Sequence, residues 1–283
     1  IASNSGGTVV SRSLGVLVPS APVGVANLQG RWNFDGENAN DSSGTGRHGT
    51  AKKLFLPTAT SDMKLWLDAS SLSTAGASWS DGSSNGNDAI KGGSPVVIEK
   101  AQNGQSLMHY NADGQRHKFN MISDTRTVFW VICIDESFKS SGFRYVLSDS
   151  TKHPHWHNNN DGKFFGALTS GHITGGTTRL NGATINGTTT NHPTNLSILT
   201  VKTTANVDAD QFGYDRTITS RQWRGKLGEL IIFNSAKSDA DIEKIEGYLA
   251  HKWGLTGALA SSHPYKLGHP ESVSGSPSYI TDT

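Results

Sequence analysis

Residues 224–255 hold the pattern that most limits what this chain can become: an apolar run suited to a buried strand, followed at once by one suited to an amphipathic helix. In the first run Leu227, Leu230, Ile231, Ile232 and Phe233 surround a single polar residue, Glu229, which predicts a strand covered on at least one face. In the second, Ile242, Ile245, Leu249 and Trp253 recur at spacings of three and four and so fall on one helical face. The start and stop signals agree. Ser238 with Asp241 three residues on has the form of a capping box, Asp239 and Asp241 bring negative charge to the positive end of the helix dipole, and Gly254 follows the last turn, which carries His251 and Lys252.

The rest of the chain reads as strands. Segments 63–68, 95–99, 106–110, 117–121, 125–134, 143–148, 163–168, 195–204 and 224–233 have strand-like composition. Between them lie Gly-Gly, Asn-Gly and Asp-Gly pairs beginning at 92, 103, 113, 161, 175, 181 and 186, which tolerate the positive φ that tight hairpins need. Hydrophobic residues at 34%, charged residues at 17% and 32 glycines fit a turn-rich β protein. One helix among so many strands predicts a helix laid across a β-sandwich.

Three stretches carry a resemblance. The run from Gly225 to Leu255, with His263-Pro264-Tyr265 after it, resembles the C-terminal end of LamG-like (concanavalin A-like lectin/glucanase) domains of bacterial surface and phage structural proteins. Leu65-Trp66-Leu67-Asp68, with Trp79 and the turn from Asp81 to Asp88, resembles their opening strand and turn, and 127–134 resembles a central strand. The resemblance covers about 63–266 and implies an all-β jelly-roll sandwich with one C-terminal α-helix. It implies fold more strongly than function, because this superfold carries lectins, glycosidases and structural modules alike.

The expected organisation has four parts. Residues 1–27 form an extended arm or linker able to add a strand to a neighbour's sheet, and 28–62 form a truncated LamG-like start that supplies extra strands. Residues 63–266 form the sandwich, and 267–283 a polar tail. The single cysteine, Cys133, lies in the apolar run 128–134 and is expected to be a buried free thiol.

A net charge of +1 argues against nucleic acid or an acidic membrane surface as a partner, and no stretch is long and apolar enough to insert in a membrane. Neutral partners, glycans or copies of the chain itself, suit it better. The densest chemistry lies in His153-Pro154-His155-Trp156-His157-Asn158-Asn159-Asn160-Asp161. One reading makes Trp156 a stacking platform for a sugar ring, with His155, His157, Asn158, Asn160 and Asp161 supplying hydrogen bonds. Another places His153, His155 and His157 on one side of an extended segment as ligands for a transition metal. A third reads no ligand at all. Asp81, Asn85 and Asp88 have the oxygen density of a calcium loop without the spacing or closing Glu of an EF-hand. The sequence singles out no certain cofactor; calcium is the one it allows, at this loop or, as the resemblance implies, elsewhere at a sandwich rim. The glucanases of the resembled superfamily carry paired carboxylates on one strand, whereas Glu229 stands alone on its own. The expectation is therefore a non-catalytic, extracellular or surface-exposed module that binds glycans or mediates adhesion. The alternative is a structural subunit of a filament, sheath or virion appendage joined through residues 1–27.

Overall fold

The computed structural model describes residues 55–57, 61–140, 142–151, 156–216, 218 and 220–270 in full, and the backbone of short strands within 2–50. The chain divides into two compact units, 55–270 and a second made of 1–54 with 271–283. The larger unit thus begins before and ends after the predicted 63–266. Phe55 is buried in its core, and the Phe55 backbone N–H donates to the Pro270 carbonyl at 3.1 Å, closing the base of the unit with residues that the strand pattern does not reach.

The smaller unit differs from expectation. Strands β1 (Ala2–Asn4), β2 (Gly7–Ser11) and β3 (Leu17–Pro19) form an antiparallel sheet of their own, so the predicted arm is folded back on itself instead of extended. β4 (Trp32–Asn33), β5 (Asn38–Asp41) and β6 (Gly49–Thr50) make another, and among the described residues they pair with one another instead of lengthening the main sheet. Short strands separated by Gly and Ser can satisfy ladder hydrogen bonds locally.

In the larger unit all the strand pairings are antiparallel and join into one sheet. Its strands are β7 (Met63–Asp68), β8 (Ser78–Trp79), β9 (Ala89–Gly92), β10 (Val96–Gln102), β11 (Gln105–Tyr110), β12 (Arg116–Ile134), β13 (Thr177–Leu180), β14 (Ala183–Ile185), β15 (Ser197–Phe212) and β16 (Gly225–Phe233). The fold is all-β. The turn chemistry acts as read: Asn103-Gly104 joins β10 to β11 with φ of 49° and 75°, and Asn181-Gly182 joins β13 to β14 with φ of 50° and 80°. These are two-residue turns with both residues left-handed, whose twist matches that of the strands.

β12 and β15 are much longer than predicted. The two segments expected at 117–121 and 125–134 are one strand, because three register shifts between Lys118 and Thr127 bend it without breaking it. Before the bend it pairs with β9, and beyond it with β16. Conversely, 143–148 and 163–168 are not strands; each makes one isolated bridge, Ser148 to Gln211 and Lys163 to Asn191. Tyr145, Val146, Leu147, Phe164 and Phe165 are buried as coverings of the sheet, which explains the false signal.

Helix α1 (Gly171–Thr174) is a single turn that the sequence reading did not predict, whereas helix α2 (Asp239–Lys252) follows the sequence closely. The Ser238 hydroxyl accepts from the Asp241 N–H at 3.1 Å, Ile242, Ile245, Leu249 and Trp253 are buried, and Gly254 takes φ of 66°. The helix serves the sheet face that carries Phe129, Val131, Glu229, Ile231 and Phe233, where Phe129 and Phe233 meet edge to face at 6.0 Å. Gly228 is the extra residue where the register of β12 and β16 slips, and a Cβ there would lie 2.9 Å from the Trp253 ring. On the opposite face Trp130 packs edge-on against Trp156 at 5.7 Å and donates to the Val146 carbonyl at 3.2 Å, so the chain around Val146 and Trp156 covers that side.

Two wholly buried carboxylates fasten α2. Glu246 accepts both guanidinium N–H groups of Arg179 at 3.0 and 2.9 Å and the Thr200 hydroxyl at 2.8 Å, with His263 Nε2 at 3.3 Å. Glu229 accepts the indole N–H of Trp66 at 2.6 Å and of Trp253 at 2.9 Å, and Lys252 Nζ at 2.8 Å. Every polar atom in such a cluster needs a partner, because an unpaired charge in this interior would be costly.

Candidate functional site

The expected binding residues do not form one surface. Trp156 is fully buried: its indole donates to the Asp208 carbonyl at 3.2 Å and its ring abuts Trp130, so no face is left for a sugar. The stacking platform is corrected to a core residue, and the reason is the Trp130–Trp156 pair that seals the sheet. Asn160 and Asp161 are exposed. Asn160 accepts from the Gly142 N–H, and Asp161 Oδ1 accepts from the Lys163 N–H at 3.1 Å, so both build turns. His153 and His155 lie outside the described residues. Among the described residues no cluster of three or more His, Cys, Asp or Glu is placed to share a metal ion.

The calcium-loop reading of Asp81, Asn85 and Asp88 gives way to a self-contained turn. Asp81 Oδ1 accepts the N–H groups of Trp66 and Ser83, both at 2.9 Å, and Oδ2 accepts the Ser83 hydroxyl at 2.7 Å and the Asn87 N–H at 3.0 Å. Asp88 Oδ1 caps the Asp81 N–H at 2.8 Å, and Asn85 Nδ2 donates to the Met63 carbonyl at 2.7 Å. Oxygens spent on donors in this way pin the turn to β7.

His157 and Asn158, in contrast, are buried in a polar cluster. Arg144, His192, Gln222 and Trp223, from three other loop segments, belong to it. The Arg144 N–H donates to Asn158 Oδ1 at 3.0 Å, and Arg144 Nη1 donates to the carbonyls of Phe143 at 3.2 Å and Gln222 at 3.3 Å. Aromatic rings flank the cluster. His192 sits edge-on between Phe164 at 4.7 Å and Trp223 at 5.1 Å, and His157 between Phe143 at 5.8 Å and Tyr145 at 5.7 Å. Beside them Asp215 is buried and held by Arg216 at 2.9 Å and Arg221 at 3.0 Å, and the Arg221 guanidinium lies 4.2 Å over Phe143.

What distinguishes this cluster is its unused hydrogen-bonding capacity. Arg144 Nε, Asn158 Nδ2, Gln222 Oε1, Trp223 Nε1 and both ring nitrogens of His192 are buried without a protein partner. Each such atom costs about 1–3 kcal/mol unless a ligand or ordered water completes it. Burial, and next the charge of Arg144, hold the His192 pKa down to about 3, so its ring is neutral and offers one donor and one acceptor. Burial, and then the Asp215 charge, push the Tyr145 phenol well up, so it stays protonated. Donors and acceptors are thus both available, which suits a neutral hydroxyl better than an ion.

No protein-family model, curated protein or solved structure matches this chain. Of the cluster residues, sequence reading found His157 and Asn158 and missed Arg144, His192, Gln222 and Trp223. These come from separate loops and share no spacing; the only available signal was Gln222-Trp223 standing directly before a buried strand. Sequence reading also took Glu229 as solitary. The register places Asp68 of β7 opposite it, with Lys252 Nζ on Asp68 Oδ2 at 2.6 Å, so a second carboxylate is present from a strand more than a hundred residues earlier.

Proposed function

We propose that this chain is a non-catalytic glycan-binding or adhesive module of the extracellular or surface-exposed kind, built on a LamG-like jelly-roll sandwich. The long bent strand β12, which changes neighbours at the bend, and the long helix α2 on one face support that architecture. The observation that carries the function is the cluster of unpaired polar atoms on Arg144, Asn158, His192, Gln222 and Trp223. A saccharide hydroxyl both donates and accepts, which matches a cluster that holds both kinds of group. In this reading the cluster takes one or two hydroxyls of a terminal sugar. In this reading calcium has no part at Asp81.

A glycan array probed with the intact protein tests this. His192→Ala and Gln222→Ala are each expected to weaken retention about tenfold or more, since one lost hydrogen bond of roughly 1.4 kcal/mol is a factor of ten, while the circular dichroism spectrum stays unchanged. Retention at wild-type strength in both variants would exclude this cluster as the binding site.

The paired strands β1–β3 favour a second reading, a structural subunit joined to copies of itself through residues 1–27, because β1 and β3 present ladder edges that another chain can extend. Light scattering on the intact chain is then expected to report large assemblies, and deletion of residues 1–27 to yield monomers. A monodisperse species of 30.2 kDa would end this reading.

A further inference from the structure

Lys252, Asp68 and Glu229 meet where the last turn of α2 crosses β7 and β16. Lys252 Nζ lies 2.6 Å from Asp68 Oδ2 and 2.8 Å from Glu229 Oε2. Asp68 Oδ1 accepts the Ser70 N–H at 2.9 Å, which turns Oδ2 toward the amine. The helix end is pinned as well: Asn103 Nδ2 donates to the Lys252 carbonyl at 3.0 Å, and Gln102 Nε2 to that of Trp253 at 2.9 Å. Three aromatic rings surround Nζ, Tyr248 at 5.5 Å, Trp253 at 5.7 Å and Trp66 at 5.8 Å.

From this geometry we infer that Lys252 and Asp68 condense spontaneously into an isopeptide bond, with Glu229 as the proton carrier, fastening α2 covalently to β7. An amine and a carboxyl group held at contact distance by a rigid fold react as if at effective molarities of about 10⁵–10⁸ M. Such preorganisation makes up for a reaction that is negligible in open water.

The step balances without a co-reactant. Glu229 takes a proton from the Lys252 ammonium and passes it to the Asp68 carboxylate, leaving a neutral amine beside a neutral acid. The nitrogen lone pair attacks Asp68 Cγ, and the C–N bond forms. The Cγ–O bond then breaks, and that oxygen leaves as water with two of the three ammonium protons. The third proton stays on the amide nitrogen, Glu229 ends as it began, and the net charge is unchanged because one cation and one anion disappear together. Burial first, and the nearby Asp68 charge, raise the Glu229 pKa to about 7 against the pull of Lys252, which lets this group both take and give a proton at neutral pH. Asp68 is the acylating partner and Glu229 is not: both Glu229 oxygens are engaged by indole N–H groups, whereas the partly exposed Asp68 lets the water escape. This inference is independent of the glycan reading.

The mass of the intact, denatured protein tests it directly. Wild-type protein is expected to be lighter than its sequence by one water, and proteolysis to release a branched peptide joining the segments around Asp68 and Lys252. Lys252→Arg, Asp68→Ala and Glu229→Gln are expected at full sequence mass. Succinimide formation at Asp35-Gly36, Asp81-Gly82, Asp113-Gly114 or Asp161-Gly162 removes the same mass but survives Lys252→Arg. Wild-type protein at full mass after prolonged incubation at neutral pH overturns the proposal, as does a water loss that persists in Lys252→Arg or a branch that maps to Glu229. Full cross-linking in Glu229→Gln would overturn the assigned proton path.

Discussion

Acidification from pH 6.5 to about 3 is expected to remove about 7 kcal/mol of stability, comparable with the whole stability of a typical domain, and two buried histidines carry it. His192 and His117 are both held down to a pKa of about 3, in each case chiefly by burial, with Arg144 adding to it at His192 and Lys91 at His117. The sign follows from linkage. Above 6.5 both rings are neutral whether folded or unfolded, and the full stability is present. Below it the unfolded chain takes up two protons that the fold refuses, at about 1.4 kcal/mol per pH unit for each ring, until the folded rings protonate near 3. Glu229 acts in the opposite direction. Its pKa of about 7 in the fold, against 4.5 unfolded, lets the folded state gain a proton between those values and offset one histidine. The loss should therefore follow one proton per molecule down to pH 4.5 and two below it. Urea midpoints at pH 7, 5.5 and 4 measure the slope, and a flat profile would contradict the account. His192→Phe separates the contributions. Its ring replaces one that has no protein hydrogen bond between Phe164 and Trp223, so the variant should match wild type at pH 7 within about 1 kcal/mol and exceed it by about 3 kcal/mol at pH 4.5.

Arg179→Ala should be the most damaging single change that leaves the apolar core intact. Glu246 on α2 is completely buried, and Arg179 supplies two of its hydrogen bonds. Without the guanidinium the carboxylate keeps the Thr200 hydroxyl and His263, which cannot replace a full charge. The expected cost is about 3–5 kcal/mol, the range for breaking a buried ion pair from one side. Adding Glu246→Leu should recover much of the loss, because the remaining penalty is an uncompensated charge and not a missing contact. Chemical denaturation of wild type, the single variant and the double variant closes the cycle. Additive losses in the double variant would show that the two residues act separately.

The parts of the fold legible in the sequence are those governed by local periodicity or local backbone demands. The α2 face, its Ser238 cap, the two Asn-Gly hairpins and the buried free Cys133 follow from neighbouring residues alone. The continuity of β12 through residues 118–127 did not, because bulges disturb the alternation that marks a strand. The same holds for 143–148, whose apolar side chains cover a sheet without joining it. The binding residues were hardest to read. Trp156 has the composition of a ligand platform but the position of a core side chain, and nothing in its neighbours reveals that Trp130 will meet it. Glu229 acquires Asp68 only through a strand pairing that spans most of the unit, as Arg144 acquires Trp223 and His192 only when three loops converge.

The position of β16 in the sheet sets the order in which the chain can be finished during synthesis. Residues 225–233 are made after the other strands of this sheet, yet this strand lies between β12 on one side and β7 and β11 on the other. Until it emerges, the inner edges of β7, β11 and the far half of β12 have no partner, and α2, which seals them, comes later still. A ribosome that has reached residue 224 therefore holds several open sheet edges, that of β12 rich in Val, Ile and Phe, the kind of surface that invites mispairing with other chains. Completion depends on contacts distant in sequence, which makes folding slow and late. Loss of even the last turn of α2 would leave that nascent state without its closing piece.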